Sequence, residues 1–136
     1  MSRVLLAAVA TTVAALASAF VVPSASAATA PEALLFLGVT YSDADPAGPR
    51  TVHGFLTCAP EGGLHRDPVA ACAELAAAGG NVGATDVENP GVACPMIYAP
   101  VTVRAFGWYA GAPISHTTTY GNSCVFAAST GPVWHI

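Results

Sequence analysis

The sequence contains no lysine, and charged residues of all kinds make up only 9% of its 136 residues. Four arginines face eight aspartates and glutamates, which gives a formal net charge of -4 at pH 7. An acidic surface of this kind repels phosphate groups. The composition therefore argues against a nucleic-acid partner.

Motifs for metal binding are missing as well. The four cysteines include no Cys-x-x-Cys pair, and the four histidines, His53, His65, His116 and His135, do not recur at the spacing of metal ligands. Structural zinc sites usually show such short spacings between their ligands. We therefore expect neither a metal ion nor a cofactor.

Signatures of catalysis are equally scarce. No Gly-x-Ser-x-Gly nucleophile elbow occurs. Ser115 and His116 are adjacent on a predicted strand, so their side chains should point to opposite faces of a sheet, with His116 packed on the strand. Four acids in turn-rich segments are interpreted as solvated: Asp43, Asp45, Asp86 and Glu88. We expect that the protein is not an enzyme.

The first 27 residues have the pattern of a secretory signal peptide. Arg3 precedes an apolar run over residues 4–22, and Ala25, Ser26 and Ala27 form an A-x-A cleavage site. The run approaches the ~20 residues that span a bilayer, so a retained anchor is the alternative. Because Pro23 and the small-residue end favour cleavage, we expect a secreted, extracellular protein without membrane contact, in which residues 28–136 form one domain.

Short β-prone runs separated by turn residues dominate this domain. Strands are predicted over residues 33–41, 51–58, 100–106 and 113–120, the last two as a hairpin around GWYAG, and over PVWHI at the C-terminus. Several short strands with few helical segments indicate an α+β fold: a small antiparallel sheet of about five strands with one or two short helices.

Two segments carry helix signals. Asp67 followed by Pro68 predicts a helix start, and the Gly-Gly pair at residues 79–80 predicts its end. A second, shorter helical turn is predicted near SCVFAAS, residues 123–129. The residues expected on the inward face of the first helix are Val69, Cys72, Leu75 and Ala76.

All four cysteines, Cys58, Cys72, Cys94 and Cys124, lie in the exported part of the chain. In an oxidising compartment an even number of cysteines predicts disulfide bonds. Four cysteines form two disulfides, and three pairings are possible.

The stretch GVACPMIYAP, residues 91–100, places three large apolar residues between Pro95 and Pro100, directly after a cysteine. Proline fixes its own φ and biases the preceding residue toward extended geometry, so the segment is predicted to be an extended strand without sheet partners. In one interpretation Met96, Ile97 and Tyr98 fill the core. In the other they form a rigid exposed loop that is offered to a protease cleft, where extended backbone is bound and side chains enter pockets.

Four motifs follow one another along the chain: LTCAP, ACAELAAAGG, CPMIYAPV and GNSC. In order and spacing they closely resemble the motifs of the Streptomyces subtilisin inhibitor-like family of secreted protease inhibitors, from about Ala33 to the C-terminus. The resemblance implies disulfides that join Cys58 to Cys72 and Cys94 to Cys124. It also implies a homodimer packed sheet against sheet, which would explain the apolar LLFLGV of the first strand.

The same resemblance implies a reactive bond between Met96 and Ile97 within a substrate-like inhibitory loop. The other residues that it implies in the site are Ala93, Cys94, Pro95 and Tyr98 as protease contacts and Asn122 as loop support. The expected partners are subtilisin-like serine proteases and, less well, chymotrypsin-like ones, because an apolar Met96 offers no cation to a trypsin pocket. The alternative is a secreted binding or structural module without inhibitory activity, and a small hydrolase is a distant third.

Overall fold

The computed structural model describes residues 30–86, 89 and 91–136. The predicted signal peptide and Glu88 lie outside the described residues. In chain order the elements are β1 (Ala33–Tyr41), β2 (Arg50–Cys58), β3 (Gly62–Leu64), α1 (Pro68–Ala77), β4 (Val101–Tyr109), β5 (Ala112–Tyr120) and α2 (Ser123–Ser129). The strands form one antiparallel sheet in the order β3-β2-β1-β4-β5. The predicted fold class, α+β with a five-stranded antiparallel sheet, is confirmed.

The central strand β1 shows why one face of the sheet is buried. Its alternate residues Ala33, Leu35, Leu37 and Val39 are buried, and the residues between them are not. Because successive side chains of a strand point to opposite faces, this period of two directs one apolar row into the core. Strand β1 pairs with β2 and β4 along its full length, so its register also fixes the registers of both neighbours.

Helix α1 begins where the sequence predicts it. The Asp67 carboxylate accepts a hydrogen bond from the Ala70 N–H at 3.0 Å, and Pro68 occupies the first helical position. Capping of this kind is worth about 1 kcal/mol, because it satisfies an amide that has no partner within the helix. At the other end, the Gly80 N–H donates to the Leu75 carbonyl at 2.9 Å and closes the helix.

The inward face of α1 differs from the predicted one. Ala71, Cys72 and Leu75 are buried, whereas Val69 is 65% exposed and Ala76 is also exposed. The prediction was wrong for Val69 and Ala76 because periodicity alone leaves the rotation of a helix uncertain. Contact with residues Pro132–Trp134 and with β2, together with the disulfide from Cys72, decides that rotation.

Two disulfides are present, as predicted, and they follow the pairing that the resemblance implies. The first joins Cys58, at the end of β2, to Cys72 on α1 and clips the helix to the sheet. The second joins Cys94 to Cys124.

The C-terminal segment is not a strand. Residues Pro132–Trp134 form a 3₁₀ turn in which Val133 and Trp134 are both buried, and the Val133 N–H donates to the Glu74 carboxylate at 2.7 Å. The strand prediction for PVWHI was wrong, since a strand would turn two successive residues to opposite faces. The fifth strand is instead β3, which pairs with β2.

On the other face of the sheet, no helix of the described residues is packed. Phe55, Phe36 and Phe106 stand side by side on β2, β1 and β4, and all three are exposed. The rings of Phe36 and Phe106 stack at 5.1 Å between centroids. We call this row the phenylalanine face. Among residues 30–86, 89 and 91–136, no helix is long and apolar enough to cross a membrane.

The β4–β5 hairpin turns more tightly than predicted. The strands continue to Tyr109 and resume at Ala112, so the GWYAG segment contributes only Ala110 and Gly111 to the turn. Both residues have positive φ, 47° and 79°. This is the two-residue arrangement whose twist matches that of the flanking strands.

Candidate functional site

Residues 91–100 reach β4 without pairing to any of the five described strands. The Met96 side chain is fully exposed, at 102% of its reference area, and Ile97 and Tyr98 are also exposed. The interpretation that these three residues fill the core is therefore wrong. The segment returns to the core only at Ala99, which is buried. We call residues 92–98 the exposed loop.

The exposed loop is anchored on both sides of Met96. Before it, half-buried Cys94 is bonded to Cys124, while Ala93 and Pro95 are exposed. After it, the Ala99 N–H donates to the Gly121 carbonyl at 2.9 Å. The disulfide and the backbone hydrogen bond thus attach the segment to Cys124 and Gly121, which both closely follow β5.

Asn122 joins the two sides of the loop directly. Its Nδ2 donates to the Pro95 carbonyl and to the Ile97 carbonyl, each at 3.0 Å. The side chain is buried, so these hydrogen bonds are largely shielded from competing water. The carbonyls of the two residues that flank Met96 are therefore held by one amide group.

The start of α2 sets the orientation of Asn122. Its Oδ1 caps the helix by accepting a hydrogen bond from the Val125 N–H at 2.9 Å. Because an asparagine amide has one acceptor oxygen and one donor NH₂ group, this leaves both N–H bonds for the loop. Residues 121–124, with a backbone carbonyl, a side-chain amide and a disulfide, therefore form a mount for the exposed loop.

A second contact reaches the loop from the β1–β2 turn. The Ser42 N–H donates to the Pro100 carbonyl at 3.1 Å, where the segment enters β4. The same turn contains Asp45, whose carboxylate accepts hydrogen bonds from Arg50 Nη1 at 2.8 Å and from the Ala47 N–H at 3.0 Å. This turn therefore supports the outer end of the segment.

Asp45 corrects one of the predictions from sequence. Asp43 is exposed, as expected for a turn acid, but Asp45 is buried at 5% exposure. A carboxylate can be buried there because Arg50 pairs with it, while the Arg50 guanidinium lies 3.5 Å from the centroid of the Tyr41 ring. The hydrogen bond from Arg50 lowers the pKa of Asp45, and the same pairing raises the pKa of Arg50.

The remaining candidate residues take structural positions. His116 hydrogen-bonds to Thr118 at 2.8 Å and packs near Trp134, as predicted for a histidine on a strand, while Ser115 is exposed. Asp86 is exposed and accepts a hydrogen bond from the Tyr120 hydroxyl at 2.7 Å. Within the described ranges, no group of three or more His, Cys, Asp or Glu side chains is placed to hold a metal ion.

The fold and the loop together define a class of protein. It is a small disulfide-bonded domain that presents one solvent-exposed segment, which its prolines predict to be extended and which is mounted on a short stretch of chain. An extended backbone with exposed side chains is the form in which a protease cleft binds a polypeptide.

Comparison with known proteins agrees with this description. The chain matches the family described as "Subtilisin inhibitor-like" over residues 30–122, and it belongs to that family. Subtilisin inhibitor-like protein 8 of Streptomyces virginiae is 45% identical over 103 residues, which cover 74% of this chain and 91% of that protein. Subtilisin inhibitor-like protein 1 of Streptomyces cacaoi is 38% identical over 107 residues, which cover 77% and 96%. The family is one of protease inhibitors, not of enzymes.

A solved structure is similar as well. The crystal structure of Streptomyces caespitosus sermetstatin in complex with Bacillus licheniformis subtilisin superposes with a TM-score of 0.65 at 30% sequence identity. The match covers 76% of this chain and 98% of that chain.

Some supporting residues could not be found from the sequence. Gly121 and Ser42 contact the loop segment through backbone atoms, which leave no side-chain pattern to read. Asp45 did leave a signal, because Arg50 follows it across a turn as the one cation within reach along the chain.

Proposed function

We propose that the protein is a secreted inhibitor of subtilisin-like serine proteases, with Met96 and Ile97 on either side of its reactive bond. The observation that supports this most directly is the exposed Met96 between two carbonyls that Asn122 holds. Membership of the subtilisin inhibitor-like family supports the same activity. The similar sermetstatin structure, a complex with subtilisin, supports the class of partner.

Binding follows from the order of the loop before contact. Because the disulfide and the Asn122 hydrogen bonds already restrict the backbone, docking costs less conformational entropy than it would for a flexible peptide. Met96 enters the primary specificity pocket of the protease, and Ala93, Cys94, Pro95 and Tyr98 contact the cleft around it. Chymotrypsin-like proteases, whose apolar pocket also admits methionine, are the weaker second target.

Resistance to cleavage follows from the anchors on both sides of the bond. When the protease serine attacks the Met96 carbonyl carbon, the bond to the Ile97 nitrogen breaks and that nitrogen takes up a proton. The new amine does not diffuse away, because Asn122 holds the Ile97 carbonyl and Gly121 holds the Ala99 N–H. It attacks the acyl-enzyme and restores the peptide bond, so religation competes with hydrolysis.

Titration of subtilisin with the purified mature protein tests this activity. We expect a linear loss of protease activity that reaches completion near one inhibitor chain per protease. Rapid cleavage between Met96 and Ile97 without loss of activity would instead indicate a binding or structural module on the same scaffold.

Substitution of Met96 tests the assignment of the reactive bond. Met96→Lys places a cation where the trypsin pocket carries a buried aspartate, and we expect trypsin inhibition to rise by roughly 100-fold or more. Met96→Leu, the matched apolar control, should keep the profile of the wild type. An unchanged trypsin profile in Met96→Lys would contradict the role of Met96 as the specificity residue.

We further propose that the protein forms a homodimer through its phenylalanine face. The support is an exposed apolar row on a sheet face that none of the described helices covers, with Phe36 and Phe106 already stacked. A second copy would remove these rings from water, and protein–protein contact is one of the functions that exposed apolar patches mark. The phenylalanine face includes no residue of the β1–β2 turn or of the exposed loop.

Sedimentation analysis tests the dimer. Phe106→Glu should shift the protein toward a monomer, because each chain would have to bury a carboxylate in an apolar interface, while subtilisin inhibition per chain is retained. Ala73→Glu, an equal change of charge at an exposed position of α1, is the control and should leave the dimer intact. A wild-type protein that sediments as a monomer at micromolar concentration would refute the proposal.

Secretion is proposed from the N-terminal sequence. The pattern of residues 1–27 supports removal of a signal peptide after Ala27, which leaves residues 28–136 as a single extracellular domain. N-terminal sequencing of the protein recovered from culture medium should begin at Ala28.

A further inference from the structure

Met96 carries the one sulfur atom of the mature chain that is not part of a disulfide. The sequence has two methionines, Met1 and Met96, and Met1 lies in the predicted signal peptide. All four cysteines are in the two disulfides, so no thiol competes for an oxidant. The Met96 thioether is therefore the one methionine sulfur that the mature chain offers to solvent.

The position of the Met96 sulfur exposes it to oxidants and places it in the proposed protease contact. Met96 is fully exposed, so an oxidant can reach the sulfur without any opening of the fold. In the proposed complex the same side chain must leave water completely.

We propose that Met96 is an oxidative modification site, and that a peroxide converts the inhibitor reversibly from a tight-binding to a weak-binding form by oxidising this thioether. This inference rests on the proposed function, and it concerns the regulation of the same site. A lone pair of the sulfur attacks one peroxide oxygen, the O–O bond breaks, an S–O bond forms and water leaves. Sulfur is oxidised by two electrons and the peroxide is reduced by two.

The sulfoxide changes binding without changing the loop. Oxidation turns a flexible apolar side chain into a polar one. A polar S–O group must be stripped of water on entering an apolar pocket, and without a new partner this weakens binding by about 10- to 100-fold. The anchors are the Asn122 hydrogen bonds and the Cys94 disulfide, and none of them involves the Met96 side chain.

Because the loop anchors do not involve the Met96 side chain, oxidation should weaken binding without loosening the loop. The oxidised protein should dissociate faster from the protease, yet its reactive bond should be cleaved no faster while it is bound. Damage to the mount would have the opposite signature, because a loosened loop becomes a substrate. Methionine sulfoxide reductases should restore tight binding, since each epimer of the sulfoxide is reducible.

The experiment uses the mature protein and hydrogen peroxide as the probe. Peroxide is removed with catalase before subtilisin is added, and mass spectrometry verifies a single added oxygen on the peptide that contains Met96. The inhibition constant is then measured for treated and untreated wild type and for Met96→Leu, which keeps an apolar side chain and has no sulfur there.

The expected result is a rise of about 10- to 100-fold in the inhibition constant of oxidised wild type, no change for treated Met96→Leu, and recovery after treatment with both reductases. Unchanged inhibition by protein that is fully oxidised at Met96 would overturn this inference alone. An equal loss in treated Met96→Leu would also overturn it, because the damage would then lie elsewhere. If neither untreated protein inhibits subtilisin, the proposed function fails and this inference fails with it.

Discussion

Asn122 carries out two tasks with the two ends of one amide. The oxygen caps α2, and the nitrogen holds the carbonyls of Pro95 and Ile97. No other uncharged side chain of this size offers an acceptor and two donors in this geometry. The residue is therefore required both by the helix and by the loop, and its two tasks can be separated by substitution.

Asn122→Asp should separate them. Aspartate is as good an N-cap as asparagine, so α2 should keep its cap. The substitution removes both donors, however, and sets a carboxylate against two carbonyl oxygens. We expect the reactive bond to be cleaved at least about tenfold faster in the protease complex, because two hydrogen bonds of about 1 kcal/mol each are lost.

Chromatography of cleaved and intact inhibitor after incubation with subtilisin gives the measurement. Asn122→Ser, which keeps a capping hydroxyl and lacks the amide, is the companion variant and should behave alike. If the Asp variant survives as long as the wild type, the side chain does not hold the loop during the reaction.

Asp45 predicts a dependence of stability on pH. Its pKa is lowered in the folded protein by the hydrogen bond from Arg50, so the pair stabilises the fold above the unfolded-state pKa of about 3.9. That contribution is lost as the pH falls through the lowered folded-state value. Asp45→Asn should therefore melt at a lower temperature than the wild type at pH 7, and the difference should shrink toward pH 3.

Thermal unfolding followed by circular dichroism at both pH values is the measurement. Asp43→Asn, at an exposed position two residues earlier, is the control and should show little difference at either pH. A gap between Asp45→Asn and the wild type that is equal at pH 7 and pH 3 would mean that the charge of Asp45 is not the cause.

At the scale of elements, sequence patterns predicted the strands and helix ends that depend on residues close together in the chain. A β-prone apolar run that ends at turn residues predicted β1, and the Asp-Pro cap predicted the start of α1. The same patterns could not predict β3, a three-residue strand with two glycines whose formation depends on its partner β2. The 3₁₀ turn at Pro132–Trp134 was missed because tertiary contact, including the Glu74 hydrogen bond, overrides the β-propensity of valine and tryptophan there.

The β4–β5 turn contains a correctable strain. Ala110 has a φ of 47°, in the left-handed region where a Cβ costs about 1 kcal/mol or more. Asparagine tolerates this region and, followed by glycine, is the preferred pair for such a turn. Ala110→Asn should therefore stabilise the protein by up to about 1 kcal/mol, which corresponds to a rise of roughly 4 °C in Tm.

A differential scanning calorimetry measurement decides this prediction, with Gly111→Ala as the matched variant. Gly111 has a φ of 79°, and a Cβ placed there would meet no atom within 4 Å, so backbone strain alone should lower its Tm. If both variants melt like the wild type, the turn does not hold this geometry in solution.

At the scale of the whole molecule, the two disulfides close loops of 14 and 30 residues but serve different parts of the structure. In the chain-entropy model, each contributes roughly 3 to 4 kcal/mol of stability. The bond from Cys58 to Cys72 clips α1 to the sheet, whereas the bond from Cys94 to Cys124 anchors the exposed loop. Removal of either disulfide should therefore cost a similar amount of stability. Removal of the bond from Cys94 to Cys124 should cost far more inhibition than removal of the bond from Cys58 to Cys72.

Paired alanine variants test this division. Cys58→Ala with Cys72→Ala should still inhibit at temperatures where it is folded, while Cys94→Ala with Cys124→Ala should be cleaved by subtilisin as a substrate. Far-UV circular dichroism verifies folding, and protease assays verify the outcome. Equal inhibition by both folded variants would show that the loop does not need its covalent anchor.

The mount at residues 121–124 holds the exposed loop by backbone carbonyls, a backbone amide and a cysteine, and it makes no hydrogen bond to the side chain of Met96. The residue proposed to enter the protease pocket is therefore not a residue that the fold depends on. A change of target can arise from one base, since a methionine codon becomes a lysine codon by a single substitution, without passing through a misfolded intermediate form. Point mutations in the exposed loop can therefore adapt an inhibitor of this architecture to new proteases while its fold is kept.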